Sequence, residues 1–133
     1  MPDATVQNGR RRFPRRVRLR GRGEFARVLR AGARASDAHL TLCGVRNGLA
    51  YTRLGMIVGG RYGGAVARNR IKRRLREAFR QLRLELPAGL DLVCIPRVGA
   101  ALEPDAIARS LATLSARIHR RLAPEPTPPP ANR

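Results

Sequence analysis

No tryptophan occurs in this chain, and aromatic residues make up only 4% of it, so its core must be built mainly from aliphatic side chains. Acids are nearly as scarce: nine Asp and Glu stand against 28 Lys and Arg, for a formal charge of +19. Such an imbalance repels itself in a compact state and implies a polyanionic partner that screens it. Lysine is rarer still. Lys72 is the only one, and the remaining cations are arginine, whose planar fork suits bidentate phosphate contacts and stacking on bases. No stretch approaches the roughly 20 uninterrupted apolar residues that span a bilayer, which argues against a membrane protein. The arginine-bearing start has no apolar run behind it and does not read as a secretory signal. The two cysteines, Cys43 and Cys94, lack metal-ligand spacing and read as buried thiols of a cytoplasmic protein. The two histidines, His39 and His119, lie far apart, and the carboxylates form no cluster. Neither a catalytic constellation nor a protein metal site is therefore expected.

What is present sorts into one domain with basic and proline-rich ends. Residues 1–16 carry Arg10-Arg11-Arg12 and Arg15-Arg16 without periodicity and read as a disordered basic arm. Residues 123–133, with Pro124-Glu125-Pro126-Thr127-Pro128-Pro129-Pro130, read as an extended tail. The folded unit is expected at 17–122. Apolar residues at 25, 28 and 29 predict a short amphipathic helix ending near Gly32. The run from His39 to Val45 reads as a strand, Asn47-Gly48 as a turn, and 51–59 as a second strand pairing with the first in a hairpin. A glycine-dense connector, 59–64, leads into a long helix from Ala65 to about Leu84. Leu90 to Ile95 has the continuous apolar character of a central strand. The last helix opens at Glu103-Pro104-Asp105, where the acids are expected to cap it and oppose its dipole, and carries Ile107, Leu111, Leu114, Ile118 and Leu122 on one face. The order α-β-β-α-β-α, with room for one extra short strand, gives an α+β fold of helices packed on a small sheet.

The long helix holds the most information. At 100° per residue, Ile71, Leu75, Ala78, Phe79 and Leu82 gather on one side, the packing face. Opposite them Asn69, Arg73, Arg76 and Arg80 form a narrow stripe, with Arg70 and Arg74 along one edge and Lys72 and Arg83 along the other. Glu77 is the only acid on this helix, spaced to hold Arg73 and Arg74. Like charges at i, i+4 destabilise a helix, so an uncompensated stripe calls for a reason. A solvated basic face is the plain alternative, but the net charge exceeds what solubility requires. No heptads follow, which disfavours a zipper-type DNA-binding helix, and no helix-turn-helix pair is evident.

The block Arg68-Asn69-Arg70-Ile71-Lys72-Arg73-Arg74-Leu75-Arg76-Glu77-Ala78-Phe79-Arg80 resembles the signature of the bacterial ribonuclease P protein component. Leu54-Gly55-Met56-Ile57-Val58 and Gly63-Gly64-Ala65-Val66 resemble the strand and glycine turn that precede it, and Arg18-Leu19-Arg20 with Gly23-Glu24-Phe25 resembles the family's opening helix. The resemblance implies a two-layer α/β sandwich like the second domain of ribosomal protein S5, with a left-handed β-α-β crossover. It also implies a protein that binds the catalytic ribonuclease P RNA and the 5′ leader of precursor tRNA. The reaction is removal of that leader to give a 5′-phosphate, with Mg²⁺ and the chemistry belonging to the RNA subunit and no obligate protein partner. On that resemblance Arg68, Asn69, Arg70, Lys72, Arg73, Arg74, Arg76 and Arg80 face the RNA subunit, although Arg68 falls near the apolar side of the wheel and is suited to anchoring the helix start.

The leader cleft is expected between the first helix and the sheet, with Phe25 as a stacking surface or a core residue. Here the chain departs from the family pattern. Leu29 stands where a second aromatic is common, Cys43 where a strand aromatic is common, Gly60-Arg61 where paired lysines are usual, and Gly64 where an asparagine is usual. Phe25, Leu29, Cys43 and Arg61 are thus the expected cleft positions, thinned in stacking and charge, with the basic arm a candidate for compensation. The rival reading is a ribosomal or other structural RNA-binding protein of the same fold, since fold does not fix function.

Overall fold

The computed structural model describes residues 15–122. The arginines at 10–12 and the proline-rich run at 124–130 lie outside the described residues. The expected end of the arm belongs to the fold: Arg15–Val17 is a 3₁₀ turn, Val17 is fully buried, and the Arg16 guanidinium stands 5.9 Å above the Tyr51 ring.

Three helices and four strands follow in the order α1 (Gly21–Ala31), β1 (Ala33–Ser36), β2 (Leu40–Arg46), β3 (Arg53–Met56), α2 (Ala65–Leu82), β4 (Leu90–Pro96) and α3 (Pro104–Arg121). The α+β class holds, and β1 is the extra short strand. The sheet order is β1-β2-β4-β3, antiparallel across β1-β2 and β2-β4 and parallel across β4-β3. α2 makes the crossover between the two parallel strands.

The expected hairpin is not there. β2 and β3 do not pair; β4 lies between them, with Gly44 opposite Leu92 on one side and Leu54 opposite Leu92 on the other. The reason lies in β4 itself. Leu90, Leu92, Val93 and Cys94 are all fully buried, so this strand is stable only with a neighbour on each side and cover on each face. Asn47-Gly48 therefore does not close a tight turn. The Asn47 side chain donates to the Tyr51 carbonyl at 3.1 Å and to Asp91 on β4 at 2.8 Å, pinning a wider loop that steps over β4.

Strand alternation divides the core in two. Leu40, Leu42, Leu54, Leu92 and Cys94 face α2 and α3, meeting Leu75, Phe79, Ile107, Leu111, Leu114 and Ile118. Each of those four α3 residues is fully buried, worth about 1.5–3 kcal/mol apiece by area. On the other face Cys43, Val45 and Val93 meet Leu19 and Val28, with Phe25, Ile57 and Ile95 partly buried around them. α1 thus lies across the second face of the sandwich. Leu42 is opposite Cys94 and Cys43 opposite Val93, so the two thiols point to opposite sides of the sheet and no disulfide joins them.

α3 starts with Pro104 in its first turn, which needs no amide donor there. Glu103 occupies the N-cap but makes no side-chain cap hydrogen bond. The acids therefore act on this end only through charge, Asp105 in the first turn opposing the dipole.

Candidate nucleic-acid interface

The stretch before α1 decides one wall of the interface. Directly after the 3₁₀ turn, Arg18-Leu19-Arg20 runs as an extended segment along the outer edge of β3. Arg18 bridges Leu54 in parallel, and the Leu19 amide donates to the Leu54 carbonyl at 3.0 Å. Val17 and Leu19 turn inward, which leaves the Arg18 side chain exposed.

α1 is fastened by a buried carboxylate. Asp91 on β4 is fully buried and accepts from Arg53 Nε at 2.8 Å, Arg53 Nη2 at 2.7 Å, Asn47 Nδ2 at 2.8 Å and the Arg27 guanidinium of α1. Arg53 also reaches Glu24 of α1 at 3.2 Å. Burial pushes the Asp91 carboxyl up, but the hydrogen bonds from Arg53 and Asn47, with the Arg53 charge and Arg27, outweigh it and hold the group below its usual range. The Arg53 guanidinium is raised in turn, chiefly by its hydrogen bonds to Asp91.

The α2 stripe separates into three groups. Asn69, Arg70 and Arg73 are exposed and form the outward face. Lys72 and Arg76 are partly buried and turn toward α1 and β3, where they line a crease with Arg18, Leu19, Phe25, Leu54, Gly55 and Met56. Burial first, then the Arg18 and Arg73 charges, pull the Arg76 guanidinium below its ordinary value. Arg74, on the opposite flank, donates to the Leu102 carbonyl at 2.7 Å ahead of α3. Its role here is to tie two elements together.

Glu77 does not hold Arg73 and Arg74. It takes Arg80, one turn further on, in an ion pair and accepts from Gln81 at 3.1 Å. The hydrogen bond from Arg80 is the main cause of its lowered carboxyl value. Arg68 is partly buried, with a buried Nε that meets no acceptor in the protein, in keeping with its place near the apolar side of the wheel. The turn into α2 uses Gly63 at φ +119°, a conformation that favours glycine, and the Arg68 amide closes the first helical turn on the Gly64 carbonyl at 2.9 Å.

Three of the four expected cleft positions gather on or beneath α1, and Arg61 lies apart. Phe25 lies against Gly55, so close that a Cβ on Gly55 would stand 2.6 Å from the ring's Cζ. Leu29 is exposed on the next turn of α1. Cys43 is 1% exposed, its thiol beneath α1 among Leu19, Val28 and Val93, and it offers no surface for stacking. Arg61 is exposed and belongs to a separate cavity of ≈ 550 Å³ with Thr41, Tyr62, Ile95 and Arg97. That cavity is shaped by the Tyr62 hydroxyl, which donates to the Pro96 carbonyl. Sequence reasoning missed Arg18 and the Arg27–Asp91–Arg53 cluster; the alternation at 16–20 and a lone acid inside an apolar run were the available signals.

One grouping mimics a hydrolytic triad. Ser110 donates to Asp37 at 2.6 Å and lies 3.5 Å from His39 Nδ1. The proton is aimed at the carboxylate instead of the imidazole, and Asp37 also accepts the amides of His39 and Leu40 at 2.8 and 2.9 Å. This is a turn lock between β1, β2 and α3, with Ser110 only 3% exposed. Among the described residues no three His, Cys, Asp or Glu converge as a metal site, and no helix is long and apolar enough to cross a membrane.

Comparison with known proteins gives one answer. The family model for ribonuclease P matches residues 13–119. The ribonuclease P protein component of Salmonella arizonae is 40% identical over 113 residues, covering 84% of this chain and 93% of that protein. That of Thermotoga petrophila is 40% identical over 85 residues, 64% of this chain and 73% of the relative. Among solved structures, the ribonuclease P protein of Thermotoga maritima superposes with a TM-score of 0.70 at 32% identity, covering 76% of this chain and 96% of that one. The Staphylococcus aureus protein gives 0.67 at 26%, covering 77% and 96%. With more than half of its length matched by the family model, this chain belongs to the bacterial ribonuclease P protein component family.

Proposed function

We propose that this chain binds the RNA subunit of ribonuclease P through the outward face of α2 and contacts the 5′ leader of precursor tRNA beside α1, so promoting endonucleolytic removal of the leader. The observation that carries the reading is the outward face itself: Asn69, Arg70 and Arg73 are exposed together, and the only acid on the helix is turned to Arg80. Guanidinium groups presented without acidic neighbours match a phosphate backbone.

The chemistry is assigned to the RNA subunit with its Mg²⁺, and the product carries a 5′-phosphate. Among the described residues, four carboxylates are already engaged by protein donors. Asp91 is held by two arginines, Glu77 by Arg80, Asp37 by Ser110 and two amides, and Glu24 by the Arg20 amide and Arg53. The unpaired, buried thiols fit the reducing cytoplasm.

Reconstitution with the cognate RNA subunit and a precursor tRNA at low Mg²⁺ tests the reading. Adding the protein should restore leader cleavage. A protein that binds the RNA but leaves cleavage unchanged would instead be the ribosomal or structural RNA-binding protein of the rival reading.

A further inference from the structure

The far end of α2 builds a pocket that the outward face of the helix does not use. The helix ends at Leu82, whose carbonyl accepts the Glu85 and Leu86 amides at 2.7 and 3.0 Å, and Pro87 bars a further turn. Leu86 turns inward at 6% exposure. Leu84 is left outside at 91%, the most exposed large apolar side chain among the described residues. The loop ahead of β3 closes the other side. Thr52 donates to the Pro87 carbonyl at 2.6 Å and accepts the Leu90 amide at 3.1 Å. A Cβ on Gly89 would stand only 3.2 Å from the Leu49 carbonyl, so the two loops are locked together. Between them lies a cavity of ≈ 170 Å³, walled by Ala50, Tyr51, Leu84, Leu86 and Ala88 and lined also by Arg16 and Arg83.

We propose that this pocket docks a short acidic segment of another protein, with one apolar side chain seated among Ala50, Leu84, Leu86 and Ala88 and its carboxylates on Arg16 and Arg83. The proposal does not rest on the RNA-binding reading above and concerns a surface which that reading leaves open. From Arg73 to Leu82 the helix advances roughly 13 Å, so the pocket lies well beyond the outward group of Asn69, Arg70 and Arg73.

A single exposed apolar side chain is ordinary. Here Leu84 and Leu49, two of the five large ones exposed among the described residues, stand on the two loops that wall one cavity. That cavity is smaller than the roughly 300–1,000 Å³ of sites for drug-sized ligands and suits one side chain. Its walls are set by the Thr52 hydrogen bonds, so docking requires little further ordering. The charge is equally specific. Arg16 rests on the Tyr51 ring, and among the described residues neither Arg16 nor Arg83 meets a carboxylate. Glu85 is exposed and does not line the cavity. Carboxylates on either side of an apolar anchor supply what the two arginines lack. A nucleotide fits less well. Tyr51 is the only aromatic of the cavity; Arg16 covers one face of its ring, and the ring packs on the core, so no open platform is left for a base.

The test uses a short labelled peptide with one central leucine between flanking aspartates, and its twin with alanine at the centre, each titrated into the full chain at physiological salt. The leucine peptide should bind roughly tenfold or more tightly than its twin. Methyl NMR shifts should concentrate at Leu84 and Ala50 and spare Val66, which is exposed at the opposite end of α2. Leu84→Ser, harmless to the fold at so exposed a position, should abolish the leucine preference. Arg83→Gln should weaken both peptides about two- to fivefold, an effect that salt diminishes. Equal binding of the two peptides, or shifts spread along α2, overturns the proposal. A short single-stranded RNA that moves the Leu84 resonance more than the peptide does would overturn it in favour of RNA. A shift there that depends on protein concentration alone would overturn it in favour of a second copy of this chain. In the reconstituted holoenzyme the leucine preference should persist, and its loss would mean that the RNA subunit covers the pocket, which also overturns the proposal. Leader cleavage by Leu84→Ser should match that of the unaltered chain, so failure of the broader function is visible separately.

Discussion

Asp91→Asn removes one charge and almost no volume from the fully buried cluster beneath α1, and it is the most exacting test of how this fold holds together. The carboxylate receives four hydrogen bonds, two from Arg53 and one each from Arg27 and Asn47. Breaking a buried pair by removing one partner costs about 3–5 kcal/mol, because the other charge is left uncompensated. Here the side chains of Arg27 and Arg53 are 43% and 20% exposed, so both can partly rehydrate, and the lower end of that range applies. A loss near 3 kcal/mol lowers the melting temperature by roughly 10–20 °C in a domain of this size. The pH dependence supplies a second, independent reading. Burial raises the Asp91 carboxyl, but the Arg53 and Asn47 hydrogen bonds with the neighbouring charges lower it more, so the folded value lies below the unfolded one. Folding then releases a proton near that range. The stabilisation is complete above the unfolded value of about 3.9 and fades as pH falls through the folded value. In thermal melts of the two proteins from pH 7 into the acid range, the gap should therefore hold down to about pH 3.9 and narrow below it. A gap below about 1 kcal/mol at pH 7, or one that stays constant across the series, would refute the claim that this ion cluster clamps α1 to the sheet.

The remaining predictions concern single contacts. Arg73→Ala should flatten the salt dependence of RNA-subunit binding by about one contact and leave the melt unchanged, while Arg74→Ala should cost about 1.5–3 kcal/mol of stability through the Leu102 carbonyl and leave the salt slope alone; exchanged outcomes would mean the two flanks of α2 have been assigned the wrong way round. Gly55→Ala must displace Phe25 or the strand, for a loss of about 1–3 kcal/mol by chemical denaturation, and a neutral result would show that the ring is not seated on that glycine. Cys43→Tyr should destabilise by a similar amount, since the site is buried beneath α1; tighter precursor binding with an unchanged melt would place position 43 on the cleft surface after all. Burial pushes the Cys94 thiol well up, so in the native protein it should resist a thiol reagent until denaturant is added, and rapid labelling in buffer would contradict its placement.

How legible all this was in the sequence depends on how far each signal reaches along the chain. Helices and strands were legible because periodicity is local: α2 was expected from Ala65 to about Leu84 and ends at Leu82, and the apolar run from Leu90 becomes the central strand. Strand partners were not, because register is a long-range choice. A loop after Asn47 serves a hairpin or a step over β4 equally well, and only the demand of β4 for two neighbours decides between them. The basic stripe shows the same boundary in a finer form. The wheel located its cations relative to the helix axis but could not say what would stand beside each flank. Arg74 met the chain ahead of α3, Lys72 and Arg76 met α1 and β3, and Asn69, Arg70 and Arg73 met solvent. Asp91 carries the point further. A lone acid in an apolar run announces that a partner exists, since a buried charge must be paired, yet its partners lie 38 and 64 residues away. Substitutions along α2 will therefore report on the neighbours of each arginine more than on the helix that carries them, and equal losses of charge within one stripe should produce unequal losses of function.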